Sequence, residues 1–400
     1  MRGLNDRAIV LLALGQTFAW AGIFYTFPAL LLRWEQGLGW TKSDLTAAIT
    51  LAILISGLAA PISGKIIDAG YGAIMMAGSA VLGGIGLILL SNVNTLWQFY
   101  GVWALLGITM AGCLYVPCFA VVTRARGKDA KQGIIFITLV AGFASTISFP
   151  LANTLSQELG WRASVAIFGL MVIILAAPAL WFGTLGLERT RQEDNAPTVS
   201  VDAHPAFLRN PAFWFLAIGL ACVAVVHGAI LNHFLSILHE NGVSSKMAVL
   251  AASFIGPMQI AGRLAMMASD RFISHHGVTV TAFILMAVSV VLLMIIGMSP
   301  AFLIAFVILF GSANGIVSIL RPLIAQDILG AKNFGAKSGA LALPYLVGSA
   351  SGPYLGSIVW NFGGYALMLG ILVALAALGC VMYLIAHRIS INVQVDINGV

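Results

Sequence analysis

Apolar residues run through this chain in long unbroken windows, and charged residues fall almost entirely between them. Such windows lie near 8–32, 44–66, 73–91, 96–123, 132–156 and 162–185, then near 211–238, 246–269, 278–298, 301–328, 336–359 and 364–387. Each approaches the ~20 residues that a helix needs to cross the ~30 Å hydrocarbon core of a bilayer. None has the strict alternation of a lipid-facing strand, which excludes a β-barrel. The pattern predicts an all-α integral membrane protein of twelve transmembrane helices. The first window is too long for a signal-peptide core and lacks a small-residue cleavage site, so it reads as a retained helix.

One polar gap is long. Residues 187–210 hold Glu188, Arg189, Arg191, Glu193, Asp194 and Asp202. The gap predicts an N-terminal six-helix half (1–186), a cytoplasmic linker (187–210) and a C-terminal six-helix half (211–400). The halves also repeat. Gly64-Lys65-Ile66-Ile67-Asp68 has a worn counterpart in Met266-Met267-Ala268-Ser269-Asp270, offset by 202. Lys131-Gln132-Gly133 returns as Lys337-Ser338-Gly339, and Gly160-Trp161-Arg162 as Gly363-Gly364-Tyr365. Three matches in one order at nearly one offset argue for two pseudo-symmetric six-helix bundles, a recurrent plan in membrane carriers.

Composition sharpens this reading. Charged residues are 8% of the chain, against about 25% in soluble domains. The net charge of +6 is spread along loops and so reads as a topology signal rather than a nucleic-acid surface. With the amino terminus inside, fourteen of the twenty Lys and Arg fall on the cytoplasmic side and four opposite. Both termini are therefore expected in the cytoplasm, with the chain in the inner (cytoplasmic) membrane. Cys113, Cys118, Cys222 and Cys380 all lie in apolar windows without metal-ligand spacing, and read as packing residues. No paired acids at depth and no phosphate loop are present, so neither an enzyme nor a cofactor or metal site is expected.

The two remaining cations are Arg263 and Arg321, both inside apolar windows. A guanidinium near the bilayer centre costs about 3 to more than 10 kcal/mol unless it faces protein, water or an anion. No Asp or Glu lies at that depth, so a negative solute is the expected partner. Gln259 shares a helical face with Arg263, and Asn314 and Ser318 share one with Arg321. The Arg321-Pro322 junction predicts a helix break. His227 is the central group able to exchange protons near neutral pH. Tyr115 and Tyr345 are deep enough to touch a solute, whereas Trp34, Trp40, Trp97 and Trp161 read as outer-interface anchors. Asp68 and Asp270, near helix ends on the cytoplasmic side, read as gate residues, with Arg263–Asp270 an alternative ion pair.

The six-plus-six plan, the central linker and the Gly64-x-x-x-Asp68 loop resemble the major facilitator superfamily. Gly39-Trp40-Thr41-Lys42-Ser43-Asp44-Leu45, Ala141-Gly142, Gln259-x-x-x-Arg263, Phe334-Gly335-x-x-x-Gly339 and Gly352-Pro353 resemble its bacterial monocarboxylate transporters and oxalate–formate antiporters. The pattern departs at Ala69, where Arg is usual, at Met266, where Gly is usual, and at Gln259, where monocarboxylate carriers have Asp. An acidic signature in the first window is missing too, so the family's usual carboxylates for proton coupling are absent. The resemblance implies alternating access, with Asp68 stabilising the outward-facing state. The expected function is secondary transport of a small organic anion, a mono- or dicarboxylate, by exchange or ion coupling. The expected partners are that anion and the lipid bilayer, with no nucleic acid and no obligate protein partner. An exporter of hydrophobic or cationic compounds is the alternative, although the membrane-embedded acid that cation exporters generally use is missing.

Overall fold

A computed structural model describes residues 6–127, 130–189, 206–269, 272–330 and 334–398. All secondary-structure elements among them are helical. The membrane-length helices are α1 (Arg7–Leu38), α2 (Lys42–Asp68), α3 (Gly72–Leu90), α4 (Leu96–Arg126), α5 (Gln132–Glu158), α6 (Gly160–Arg189), α7 (Pro211–Glu240), α8 (Ser245–Ser269) and α9 (His275–Met294). Next comes α10 (Pro300–Leu329). A last apolar stretch, Ala340–Ile391, is 52 residues long, roughly 78 Å of helix against a core of ~30 Å. It contains two crossings, because Gly363 and Gly364 leave helical geometry. Gly364 sits at φ 64°, ψ −168°, a region essentially reserved for glycine. The break separates α11 (334–362) from α12 (365–398), which completes twelve helices.

Large apolar side chains such as Leu58, Ile62, Ile174, Phe182 and Leu250 lie exposed along these helices. A soluble protein rarely tolerates so much apolar surface; lipid tails match it.

The chain groups into two compact units. The first holds Met1–Ala196 with Asn232–His239 and Val243–Gly256; the second holds Pro197–Leu231, Glu240–Gly242 and Pro257–Val400. Helices α7 and α8 thus each contribute to both. In lipid, helices associate by van der Waals packing, so small residues mark the closest crossings. In the first unit, a Cβ at Gly84 would stand 2.6 Å from the Gly169 carbonyl, and one at Gly169 2.5 Å from the Gly84 carbonyl. Gly15 and Gly22 of α1 press against Leu180 and Val172 of α6. Thr146 Oγ1 donates to the Ser253 carbonyl at 2.8 Å, and Ser145 Oγ accepts from the Gly256 N–H at 3.2 Å.

Four irregularities interrupt the first unit's helices, one of them a turn at Gly142–Phe143 that parts α5 between Ala141 and Ala144. Trp20–Phe24 in α1 and Val172–Ala176 in α6 are π-helical turns, and Leu114 (ψ −157°) breaks α4 between Cys113 and Tyr115. Trp34, expected at the membrane interface, is instead fully buried among Phe27, Phe99, Trp103 and Trp161. The second half of α1 turns that face toward α4, and edge-to-face ring packing outweighs interfacial anchoring there. Trp97 is 82% exposed, as an interface residue should be.

Candidate functional site

The second unit brings the two deep arginines together. Helices α8 and α10 cross closely: a Cβ at Gly262 would stand 2.4 Å from the Ser312 carbonyl, and one at Gly315 2.0 Å from the Gln259 carbonyl. With so little space between the backbones, side chains one turn further on meet across the crossing. Arg263 is buried, and its Nε donates to Ser318 Oγ at 3.2 Å. Ser318 is one turn from Arg321 on α10, so the residue that holds Arg263 shares a helical face with Arg321.

Arg321 is half-buried, with its guanidinium carbon 3.8 Å from the centre of the Tyr345 ring on α11. That face-on geometry is a cation–π contact. Its Nε is buried and makes no hydrogen bond among the described residues. Asp327, six residues on, pairs instead with His275 at 3.2 Å. The helix runs unbroken through Arg321-Pro322 to Leu329, so the break expected there is absent. Pro322 withholds an N–H from the Ser318 carbonyl, but the turns on either side stay helical and α10 continues past it.

Around this pair stand the other expected residues of the C-terminal half. Asn314 Nδ2 donates to the Phe310 carbonyl at 2.8 Å. His227 stacks on Phe310, with ring centres 5.8 Å apart. Gln259 is half-buried, and its backbone forms the crossing with Gly315. Arg263, Gln259, Asn314, Arg321, Tyr345 and His227 thus form one neighbourhood drawn from α7, α8, α10 and α11. Asp270 lies outside the described residues.

Tyr115 belongs to a different cluster, in the first unit. Its ring lies 4.7 Å from that of Trp20 and stacks on Phe119 at 5.0 Å. Phe24 and Tyr25 extend the group. Trp20 Nε1 and the Oε1 of the fully buried Gln16 have no hydrogen-bond partner among the described residues.

Asp68 is exposed, and its carboxylate makes no hydrogen bond or ion pair among the described residues. Its backbone carbonyl accepts from Arg124 Nη2 at 2.8 Å, and Arg124 Nη1 takes the carbonyl of Ile67. Arg124 therefore clasps the carboxyl end of α2, where a cation complements the helix dipole. Glu188 sits against Gly72 at the amino end of α3, its Oε1 2.7 Å from where a Cβ would stand. Sequence reasoning missed Arg124 and Glu188, which read as a loop cation and a linker acid. Their signal was their place: each lies near the end of a helix beside Gly64–Asp68, which the sequence reads as a loop and the structure makes the last turn of α2.

The sequence profile of the Major Facilitator Superfamily matches residues 12–340. The chain belongs to this family. It is 24% identical over 353 residues to the MFS transporter asaE of Aspergillus flavus, covering 87% of this chain and 78% of that protein. Among solved structures, a mutant of the nucleoside transporter NupG superposes with a TM-score of 0.72 at 13% identity, over 96% of this chain and 98% of that one. A bacterial homologue of the human lysosomal transporter Spinster, inward-facing and occupied, superposes at 0.65 with 18% identity over 97% of each. These likenesses establish the fold. This major facilitator protein is accordingly a multi-pass membrane transporter rather than an enzyme.

Proposed function

We propose that the protein is a secondary transporter of a small organic anion, a mono- or dicarboxylate, working by alternating access through exchange or ion coupling. The observation that carries this reading is the Arg263–Ser318–Arg321 arrangement, with Tyr345 over one guanidinium and a buried Arg321 Nε that has no described acceptor. A guanidinium fits a carboxylate through two parallel N–H donors. Gln259 and Asn314 orient the solute, and Tyr345 and Tyr115 cover its apolar part. His227 carries the proton if transport is proton-coupled, and Asp68 and Asp270 act as gates.

In this scheme the moving halves are 1–186 and 211–400, joined by 187–210. The Arg321 charge resists crossing the low-dielectric barrier until an anion neutralises it, which ties occupancy to movement. The charge bias of the loops supports the inner (cytoplasmic) membrane with both termini inside. The support for an anion comes from the two arginines and not from the fold, which a nucleoside transporter shares.

The test is counterflow in proteoliposomes with radiolabelled formate, lactate, oxalate and succinate, comparing the wild type with Arg321→Ala and Arg263→Ala. Uptake of at least one acid that both substitutions abolish is the expected result. Wild-type uptake in either variant, or no uptake of any of the four acids, rejects the reading.

A further inference from the structure

The break in α4 has a local cause and an outside support. Leu96–Cys113 ends in a helical turn, Leu114 is extended, and a new helix runs Tyr115–Arg126. Pro117 stands four residues after Cys113. In a continuous helix the N–H of residue 117 would serve the Cys113 carbonyl, and proline has no N–H. Leu114 has no such deficit, because its carbonyl accepts from the Cys118 N–H at 3.2 Å. The donor that Cys113 lacks comes from another helix: Gln16 Nε2 of α1 reaches its carbonyl at 2.7 Å and that of Leu114 at 3.4 Å. Gln16 and Cys113 are both fully buried, so water does not compete, and an unserved carbonyl there is costly.

One turn along α1 from Gln16, Trp20 packs on Tyr115, the first residue after the break. A single face of α1 therefore supplies the donor that holds the break and the ring against which the next residue settles. We propose that Gln16 is a positioning residue. By serving the Cys113 carbonyl it keeps α4 parted at Leu114, and so fixes where the Tyr115 ring stands. The role in transport rests on Tyr115 contacting the solute, as proposed above; the placement of the ring does not.

Pro117→Ala makes the test selective. It restores an N–H at position 117, so α4 can close into a continuous helix that satisfies Cys113 without help. That rescue stabilises the protein but rotates Tyr115 away from Trp20. The proteins to compare are the wild type, Gln16→Leu, Pro117→Ala and the double variant, each labelled with 5-fluorotryptophan. The 19F resonance of Trp20, assigned by Trp20→Phe, reports the neighbouring Tyr115 ring without any solute.

In Gln16→Leu we expect a lower melting temperature, a Trp20 resonance moved toward its position in Tyr115→Leu, and a KM for the transported carboxylate raised about tenfold. In the double variant the melting temperature returns while the resonance and the KM stay displaced. If Gln16→Leu does not fold, the double variant still carries both readouts. The proposal is overturned by an unmoved resonance once Gln16 is replaced, by stability and resonance returning together, or by no return of stability. Absent carboxylate uptake in the wild type would reject the anion reading alone, since the fluorine measurement stands apart from it.

Discussion

The α8–α10 crossing gives the sharpest quantitative expectation. Replacing Gly315 by alanine sets a Cβ 2.0 Å from the Gln259 carbonyl oxygen, and such an atom needs at least 3.0 Å. The obstacle is backbone, so a rotamer change cannot relieve it and the helices must part by about 1 Å or more. Overpacking of this kind costs ~1–3 kcal/mol. Parting by that distance also takes Arg263 Nε, now 3.2 Å from Ser318 Oγ, to roughly 4 Å, beyond hydrogen-bond range. Alanine's better helix propensity returns up to ~1 kcal/mol, so the clash must be isolated with a control. Gly370 on α12 has nothing within 4 Å of its virtual Cβ, and Gly370→Ala carries the propensity gain alone. We expect Gly315→Ala to unfold in mixed micelles with a free energy ~1–3 kcal/mol below that of Gly370→Ala, and to lose anion uptake that Gly370→Ala keeps. Equal stabilities and equal uptake would refute both the tight crossing and the dependence of the arginine pair on it.

Two further substitutions probe separate features. Arg321→Lys keeps the charge but not the flat fork, so uptake should fall at least tenfold while stability stays near the wild type; Tyr345→Leu should weaken solute affinity by the ~0.5–2 kcal/mol of a cation–π contact. Kinetics in proteoliposomes check both, and full activity of the lysine variant would show that charge alone suffices. Gly364→Ala forces a side chain into a backbone region reserved for glycine and should destabilise by ~1–3 kcal/mol. Denaturant titration measures that loss, and an unchanged midpoint would mean the turn between α11 and α12 relaxes without cost.

Several of these features were legible before any coordinates. Windows of apolar residues set the number of crossings because backbone groups in lipid must be satisfied within a helix. Arg263 and Arg321 stood out because burying a charge is expensive enough to need a reason. That Arg263 reaches Ser318, one turn from Arg321, was not legible. It depends on Gly262 and Gly315 lying opposite Ser312 and Gln259, and spacing along one helix says nothing about its register against another. A break was expected at Arg321-Pro322 because proline crowds the residue before it, and none occurs; the break that does occur, at Leu114, follows from the N–H that Pro117 lacks. In the first unit Gln16 supplies the donor that Pro117 withholds; at Pro322 the turns on either side stay helical. Proline marks where a helix can part, without deciding whether it does.

Trp34 shows the same limit. Its place near the end of an apolar window suits an interfacial anchor, and the structure buries it completely against Trp103 and Phe99. The sequence alone determined the class, the helix count and the residues too costly to be incidental, because those follow from transfer energies summed along one chain. Tertiary structure decided which of those residues meet, which prolines break their helices and which aromatics face inward, because each depends on contacts between segments far apart in the chain.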